Sequence, residues 1–481
     1  MSSTSSKRAR FAGRKACVVG SGPNGLAAAI VLAQAGMEVE VFEAETQPGG
    51  GARTMELTLP GFLHDFGSAV HPMAVGSPFF SSLPLQQYGL EWIHPPAPLA
   101  HPLDDGTAIV LHRDFDACAT QLQPDGAAWR RLMEPFARDW ARLATQVLQP
   151  VPSVPHTPWL LARLGMISLS SANRLANQSF AGMRAKAVFA GLAAHSFLSL
   201  DEPLSAAFGV LLGVAAHAVG WPIPRGGAQS ITDALLGYLQ SLGGRITTSC
   251  CIRNVDDIPR CDISMWDIGP YQFRAVAEKH LSLPFKEELS RYTYGPGAFK
   301  VDYALSQPIP WRSPECLQAA TIHIGGTLEE IAASEYAARH NHVAERPFVL
   351  LSQPTLFDPT RAPAGKHIAW AYCHIPNGSE FDMLERLESQ IERFAPGFRE
   401  CVLARRVFNP MALEAMDANL IGGDIAGGAS TLRQFILRPT WRRYETSIRN
   451  MYLCSASTPP GAGVHGMCGY NAARLALSRL R

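Results

Sequence analysis

Charge of either sign is scarce in this chain, and neither sign dominates. Asp, Glu, Lys and Arg together make up 17% of 481 residues, below the roughly 25% usual for soluble domains. There are 42 Lys and Arg against 41 Asp and Glu, a formal net charge of +1. That balance excludes the broad basic face that nucleic acid demands, and Arg442–Arg443 reads as solvated surface. Also missing is any run of about 20 apolar residues, so no transmembrane span is expected. The nearest stretch, PLSAAFGVLLGVAAHAVGW at 203–221, reads as a buried helix, with a membrane-dipping patch as the alternative. Ten cysteines include no C-x-x-C or C-x-x-x-x-C pair, which argues against disulfide-reductase chemistry and for buried thiols in a reducing compartment. No signal peptide, nucleophile elbow, Walker A loop or metal-ligand cluster is found. The start, MSSTSSKRARFAGRKA, is Ser-rich and basic. Residues 1–13 read as a disordered tail of a cytoplasmic protein; the alternative is the tip of a transit signal for the mitochondrial matrix.

What is present begins with KACVVGSGPNGLAAAIVLAQAGMEVEVFEAE, read as strand, loop, helix, turn, strand. Residues 15–19 are an apolar run suited to a buried parallel strand. Residues 24–35 are helical, and Gly36 suits a left-handed cap. In the loop Gly20 permits the tight turn, Gly22 lets the backbone approach a pyrophosphate, and Gly25 lets helix and strand pack closely. The helix N-terminus then faces the phosphates. Glu43 ends the second strand, where a carboxylate accepts a ribose hydroxyl and repels a 2′-phosphate. A glycine cluster, Gly49 to Gly51, and Arg53 come next. They offer a second close backbone approach and a fixed positive fork, which suits a cofactor longer than NAD.

The G-x-G-x-x-G spelling recurs as Gly461, Gly463 and Gly466, again between a strand signal (RNMYLCSAS) and a helix signal (GYNAARLALSRL). A dinucleotide site needs an acid about 20 residues further on. The chain reaches Arg481 only fifteen residues past Gly466, so a complete second dinucleotide site is not expected. The repeat points to one cofactor held from both ends of the chain.

The strings GSGPNGLAAA, VFEAE and PGGGARTMEL resemble the FAD-binding start of the phytoene desaturase superfamily. HDFGSAVHPMAVGSPFF, GWPIPRGGAQSI, GPGAFKVDYALSQPIPW, IGGDIAGG and HGMCGYNAA are similar to its branch named pyridine nucleotide-disulfide oxidoreductase domain-containing protein 2. The resemblance runs from about Lys15 to the C-terminus. It implies an α/β chain with a Rossmann-like FAD-binding domain assembled from 14–75, 222–290 and 445–481. The inserted substrate domain, sheet plus helices, would take 76–221 and 291–444, with a helical subdomain at about 126–220 and a Pro-rich break at 150–158. Within the FAD domain a helix is expected at 228–242 and strands at 245–250 and 252–258.

The resemblance also implies site residues. Gly20, Gly22, Pro23, Asn24, Gly25 and Glu43 would hold the nucleotide end of FAD. Gly50, Gly51, Arg53 and Thr54 would support its far part. Ile252 would bring a backbone group to adenine. Gly463, Val464 and Gly466 would lie beside the isoalloxazine, the Val464 N–H facing the pyrimidine edge and the helix dipole favouring negative charge there. Relatives carry Gly-Asp where this chain has Ser455 and Ala456. Cys468 is weighed as a covalent flavin anchor against a packing residue. Lys300 alternates with Phe299, Val301 and Tyr303 and resembles the lysine that holds a water near flavin N5 in flavin amine oxidases; the competing reading is a surface pair with Asp302. His71, His195 and His217 are acid–base candidates against the commoner role of core histidines. Asp424 is read as a turn residue. No metal is expected.

The expected function is an FAD-dependent oxidoreductase that abstracts hydride from an apolar or amphipathic small molecule, in a desaturation, and passes electrons to oxygen, a quinone or another acceptor. The alternatives are a flavin amine oxidase and a non-catalytic flavin-binding regulator. Peripheral membrane contact, substrate, acceptor and oligomeric state are left open.

Overall fold

The computed structural model describes residues 11–150 and 157–480. The first sheet has five parallel strands, in spatial order Met451–Leu453, Ile263–Trp266, Lys15–Val19, Glu38–Phe42 and Arg245–Thr247. Three separated parts of the chain thus build one Rossmann-like sheet. Its central strand is apolar and buried after Lys15, as helices on both faces of a parallel sheet require. The helix Pro23–Gln34 starts with proline in its first turn, where a missing N–H costs nothing. Gly36 follows it with φ +95°, the left-handed exit that glycine adopts without strain.

The second sheet is mixed and seven-stranded. Its order is Val402–Phe408, Gly297–Leu305, His367–Ile375, Val349–Ser352, Ala319–Ile324, Ala97–Pro102 and Ala108–Leu111. Every pairing is antiparallel except that of 319–324 with 97–102. On one face Val301, Tyr303, Ile322, Leu351 and Ala371 pack with Leu387, Ile391 and Phe394 of the helix Leu384–Phe394. The other face is turned toward 62–71 and the helical layer that includes Met183–Ala194 and Ser205–Ala218.

Several expectations change. The stretch 203–221 is no membrane patch: most of the Ser205–Ala218 helix is buried. Among the described residues no helix is long and apolar enough to cross a membrane. The strand expected at 252–258 is replaced by a 3-10 turn at Val255–Asp257, closed by reciprocal bonds between Asn254 and Asp257, and the strand before it is shorter, Arg245–Thr247. Phe11, placed in the expected tail, is buried in the core of the first domain. Residues 1–10 of that tail and most of the Pro-rich break lie outside the described residues.

Candidate functional site

The first glycine turn is built by close approach. Gly20 has φ +95°. A Cβ on Gly25 would stand 2.1 Å from the Gly20 carbonyl oxygen, and one on Gly22 would stand 2.8 Å from Asp267 Oδ2. Asp267 follows the neighbouring strand, and its Oδ2 accepts the Gly25 N–H at 2.7 Å. Burial, then the nearby Asp417 and Glu43 carboxylates, push its carboxyl up to about 7, against the pull of the Gly25 N–H. Glu43 is buried at the end of its strand. It accepts from Ser21 N at 2.9 Å, from Ser21 Oγ at 2.5 Å and from Glu45 N at 3.0 Å. The Asn24 side-chain oxygen, in the first helical turn, is buried without a partner.

The second glycine turn lands on the first. Gly461, Gly463 and Gly466 all have positive φ, and Gly466 starts the helix Met467–Arg479. That helix lies against Pro23–Gln34. A Cβ on Gly469 would come within 1.8 Å of the Asn24 carbonyl oxygen, and one on Gly466 within 3.2 Å of Ala27 Cβ. Val464 is half-buried against the same core.

Lys300 lies on the seven-stranded sheet, on the face opposite Val301. Cross-strand register sets it beside Tyr372 and Phe408, and Asp302 beside Trp370. Opposed residues share a face, so the row continues through Ser352 to Thr321, and the next through Leu350 to His323. Lys300 donates to Asp302 and sits 5.5 Å and 5.8 Å from the rings of Phe408 and Trp370. The pair is 5% and 0% exposed in its side chains, so the expected surface pair is a buried one. Burial raises the Asp302 carboxyl to about 6, opposed by Lys300. His64, 3.6 Å from Asp302, is lowered to about 3 by burial and by the Lys300 and Arg361 charges. Beneath them Arg361 and Asp65 form a fully buried ion pair at 2.9 Å.

Further along this face His323 Nε2 lies 3.1 Å from His195 Nε2, with Trp221 packed edge-on against both rings. Thr321 Oγ1, Ser352 Oγ, Trp370 Nε1, His323 Nδ1, His374 Nε2 and Asp302 Oδ1 are buried without a hydrogen-bond partner, as is Trp221 Nε1.

A family profile described as an NAD(P)-binding Rossmann-like domain matches residues 18–80. The mouse (Mus musculus) pyridine nucleotide-disulfide oxidoreductase domain-containing protein 2 is 26% identical, over 97% of this chain and 94% of its own length. A lycopene-forming phytoene desaturase of Pseudescherichia vulneris is 23% identical over 94% and 96%. The chain is an FAD-dependent oxidoreductase, similar along nearly its whole length to members of the phytoene desaturase-like superfamily. An oxidoreductase structure from Methanosarcina mazei shares its fold, with a TM-score of 0.63 and 17% identity over 97% of this chain and all of that one.

FAD is the superfamily's cofactor, and the residues present fit it. The first turn is packed so closely that a side chain on Gly22 or Gly25 would strike Asp267 Oδ2 or the Gly20 carbonyl oxygen, which leaves bare backbone N–H groups at the helix N-terminus, as a pyrophosphate site requires. Glu43 would take the ribose position of the fingerprint, the partnerless Asn24 oxygen would lie toward the phosphates, and the Gly463–Gly466 turn, brought to the same helix by Gly466 and Gly469, would close the site from the other end of the chain. Other predicted residues have structural duties. Arg53 is buried over the Phe66 ring; its Nε donates to Gly50 O and its Nη2 to Met416 O. It ties the Gly49–Gly51 cluster to the 416–419 loop. Thr54 Oγ1 donates to Asp65 and accepts from Gln229 N. Ile252 is half-buried against the cluster of Val19 and Trp266.

His217 needs correction as an acid–base candidate. Its Nε2 accepts from Trp129 Nε1 at 2.9 Å, its Nδ1 lies 3.0 Å from Arg113 O, and its ring stacks on Phe115. With both nitrogens committed it pins helices. Cys468 is buried, its thiol donates to Thr458 O and Gly461 O, and burial pushes it up to about 12; this favours packing over a flavin bond. Asp424 accepts from the N–H groups of Gly295, Ala426 and Gly428, a turn centre as expected. Asp267 and the face that carries Thr321, His323, Ser352 and Trp370 escaped sequence reasoning, because long-range packing and register create them.

Proposed function

We propose that this oxidoreductase dehydrogenates a small amphipathic molecule held against the polar face of the seven-stranded sheet, with hydride passing to flavin N5. FAD, when bound, supplies the hydride acceptor. The observation that carries the reading is the concentration of partnerless buried polar atoms on that one face. Each costs about 1–3 kcal/mol when left unpaired, and native interiors hold few of them. Their gathering around Lys300, Trp370 and Tyr372 supports a ligand that accepts and donates hydrogen bonds there.

The surrounding groups define the ligand. Trp370, Tyr372, Phe408 and Phe197 offer aromatic walls for an apolar body. His71 is lowered to about 4 and His195 to about 3, both by burial first, so they meet the substrate as neutral rings that hydrogen-bond without charge. Lys300 is held in place by Asp302 and by the rings of Phe408 and Trp370. From there it orients a water or a polar substrate atom and stabilises negative charge that develops beside it. Electrons leave to oxygen, a quinone or another acceptor. Free thiols, seven of them buried, suit the reducing cytoplasm.

The purified protein tests this. It should be yellow with a flavin spectrum, and a true substrate should bleach it anaerobically. Bleaching by amines alone would favour the amine oxidase reading. Stable flavin that no candidate reduces would favour a binding protein. A colourless protein that FAD cannot reconstitute refutes the proposal.

A further inference from the structure

We propose that Asp267 is a proton-gated anchor for the cofactor's pyrophosphate, neutral while the dinucleotide is held and ionised when it leaves. The inference rests on the FAD reading of the first glycine turn. Asp267 is placed by its own strand, its N–H donating to Val19 O at 2.8 Å. Its Oδ2 meets the Gly25 N–H at 2.7 Å and would lie 2.8 Å and 2.9 Å from side chains on Gly22 and Gly25. The carboxyl therefore stands at the helix N-terminus where this turn offers its N–H groups to phosphate. An ionised carboxyl there opposes an anion twice, by repulsion and by engaging the Gly25 donor.

The groups facing Asp267 do not relieve that conflict. Glu43 approaches from the second strand and Asp417 from the loop after Pro410–Met416, and both act to keep it protonated. Asn419 Nδ2 approaches its backbone oxygen at 3.5 Å. Cys454 and Cys468, from the last strand and last helix, are thiols that Asp267 itself holds protonated, after burial. Arg53 acts on Asp417 and spends Nε and Nη2 on backbone carbonyls. Burial with these neighbours already raises the carboxyl to about 7, and pyrophosphate charge acts in the same direction. Protonated Asp267 keeps one oxygen for Gly25 and gains an O–H to donate to the anion. The balance is apoprotein carboxylate plus FAD plus one proton, giving holoprotein with a carboxylic acid.

Linkage sets the sign. Below about pH 7 the apoprotein already carries the proton and affinity is flat. Above it, affinity falls by up to about tenfold per pH unit, until the holoprotein titrates. Between about pH 6 and pH 8.5 the FAD Kd should rise on the order of 20-fold. FAD is titrated into apoprotein, read by flavin fluorescence, for the wild type and Asp267→Asn. The variant keeps an oxygen for Gly25 and carries no titrating proton. It should bind with a flat pH profile and more tightly than wild type at the alkaline end. Calorimetry of the wild type in buffers of different ionisation enthalpy gives an independent readout, with about one proton taken up near pH 8 and almost none near pH 6. Parallel pH profiles for the two proteins, or no proton uptake at alkaline pH, overturns the proposal while leaving FAD binding intact. Failure of both proteins to bind FAD at any pH overturns the cofactor reading and the proposal together.

Discussion

Replacing Gly469 with alanine sets two known effects against each other. In an unhindered helix, Gly→Ala gains about 0.8–1 kcal/mol, because glycine gives up more backbone freedom on folding. Gly469 lies in Met467–Arg479 where that helix rests on Pro23–Gln34. Its new Cβ would meet the Asn24 carbonyl oxygen at 1.8 Å, the Asn24 carbonyl carbon at 2.7 Å and Ala28 N at 2.9 Å. All three are backbone atoms, so no rotamer change relieves them. Restoring ordinary contact requires the helices to part by roughly 1.5 Å, and overpacking of this kind costs about 1–3 kcal/mol or more. We expect a net loss on the order of 2 kcal/mol, read as a lower unfolding midpoint in urea, and weaker FAD binding, since the parted helices carry the two glycine turns. Gly165→Ala is the control. It sits in the Pro158–Ser168 helix with nothing within 4 Å of a new Cβ and should gain up to about 1 kcal/mol. Equal or greater stability for Gly469→Ala, with unchanged FAD affinity, would refute the claim that backbone contact between these helices builds the site.

Lys300→Met should retain FAD and slow flavin reduction or reoxidation by at least about tenfold in stopped flow; unchanged half-reactions would remove Lys300 from the mechanism. The same change leaves Asp302 buried without its cation, so stability should fall, and adding Asp302→Asn should restore stability but not rate. His217→Ala orphans Trp129 Nε1 and should destabilise by about 2–3 kcal/mol, with flavin reduction unaffected in the folded protein. Stability should fall as pH drops from about 6.5 toward 4. His71, His101, His217 and His465 are lowered to about 4 each, burial leading, so between those pH values the unfolded chain binds more protons. Asp302, raised to about 6, and Asp267, raised to about 7, oppose this only in part; urea midpoints that rise on acidification would contradict the assignment.

How much of this was legible beforehand depends on the range of the interactions. The Lys15–Phe42 unit was readable because its determinants are local: an apolar strand, three glycines at fixed offsets, a capping Gly36. The helix at 229–241 was readable for the same reason. At 252–258 a strand is expected, but side-chain bonds between Asn254 and Asp257 close a turn instead. Alternation put Lys300 and Asp302 on one face, yet the same pattern describes a solvated edge and a buried pair. Only the neighbouring strands, with Trp370 on one side and Phe408 on the other, decide between them. His217 looked chemical because a sequence does not show Trp129 reaching for its nitrogen. Asp267 meets Gly25 across 242 residues, beyond any motif.

The placement of Met451–Leu453 and Met467–Arg479 has a consequence for biosynthesis. One is an edge strand of the nucleotide-binding sheet and the other packs on its first helix, so on the proposed site a nascent chain that has already made the first glycine turn still lacks the elements that carry the second. Stable loading with cofactor should then follow translation of these elements. Until they emerge, Ile263–Trp266 is an unprotected apolar sheet edge of the kind that pairs with other chains. Scarcity of flavin in the cell should therefore not stall folding of the early segments. It should lower the yield of finished protein at the final docking step.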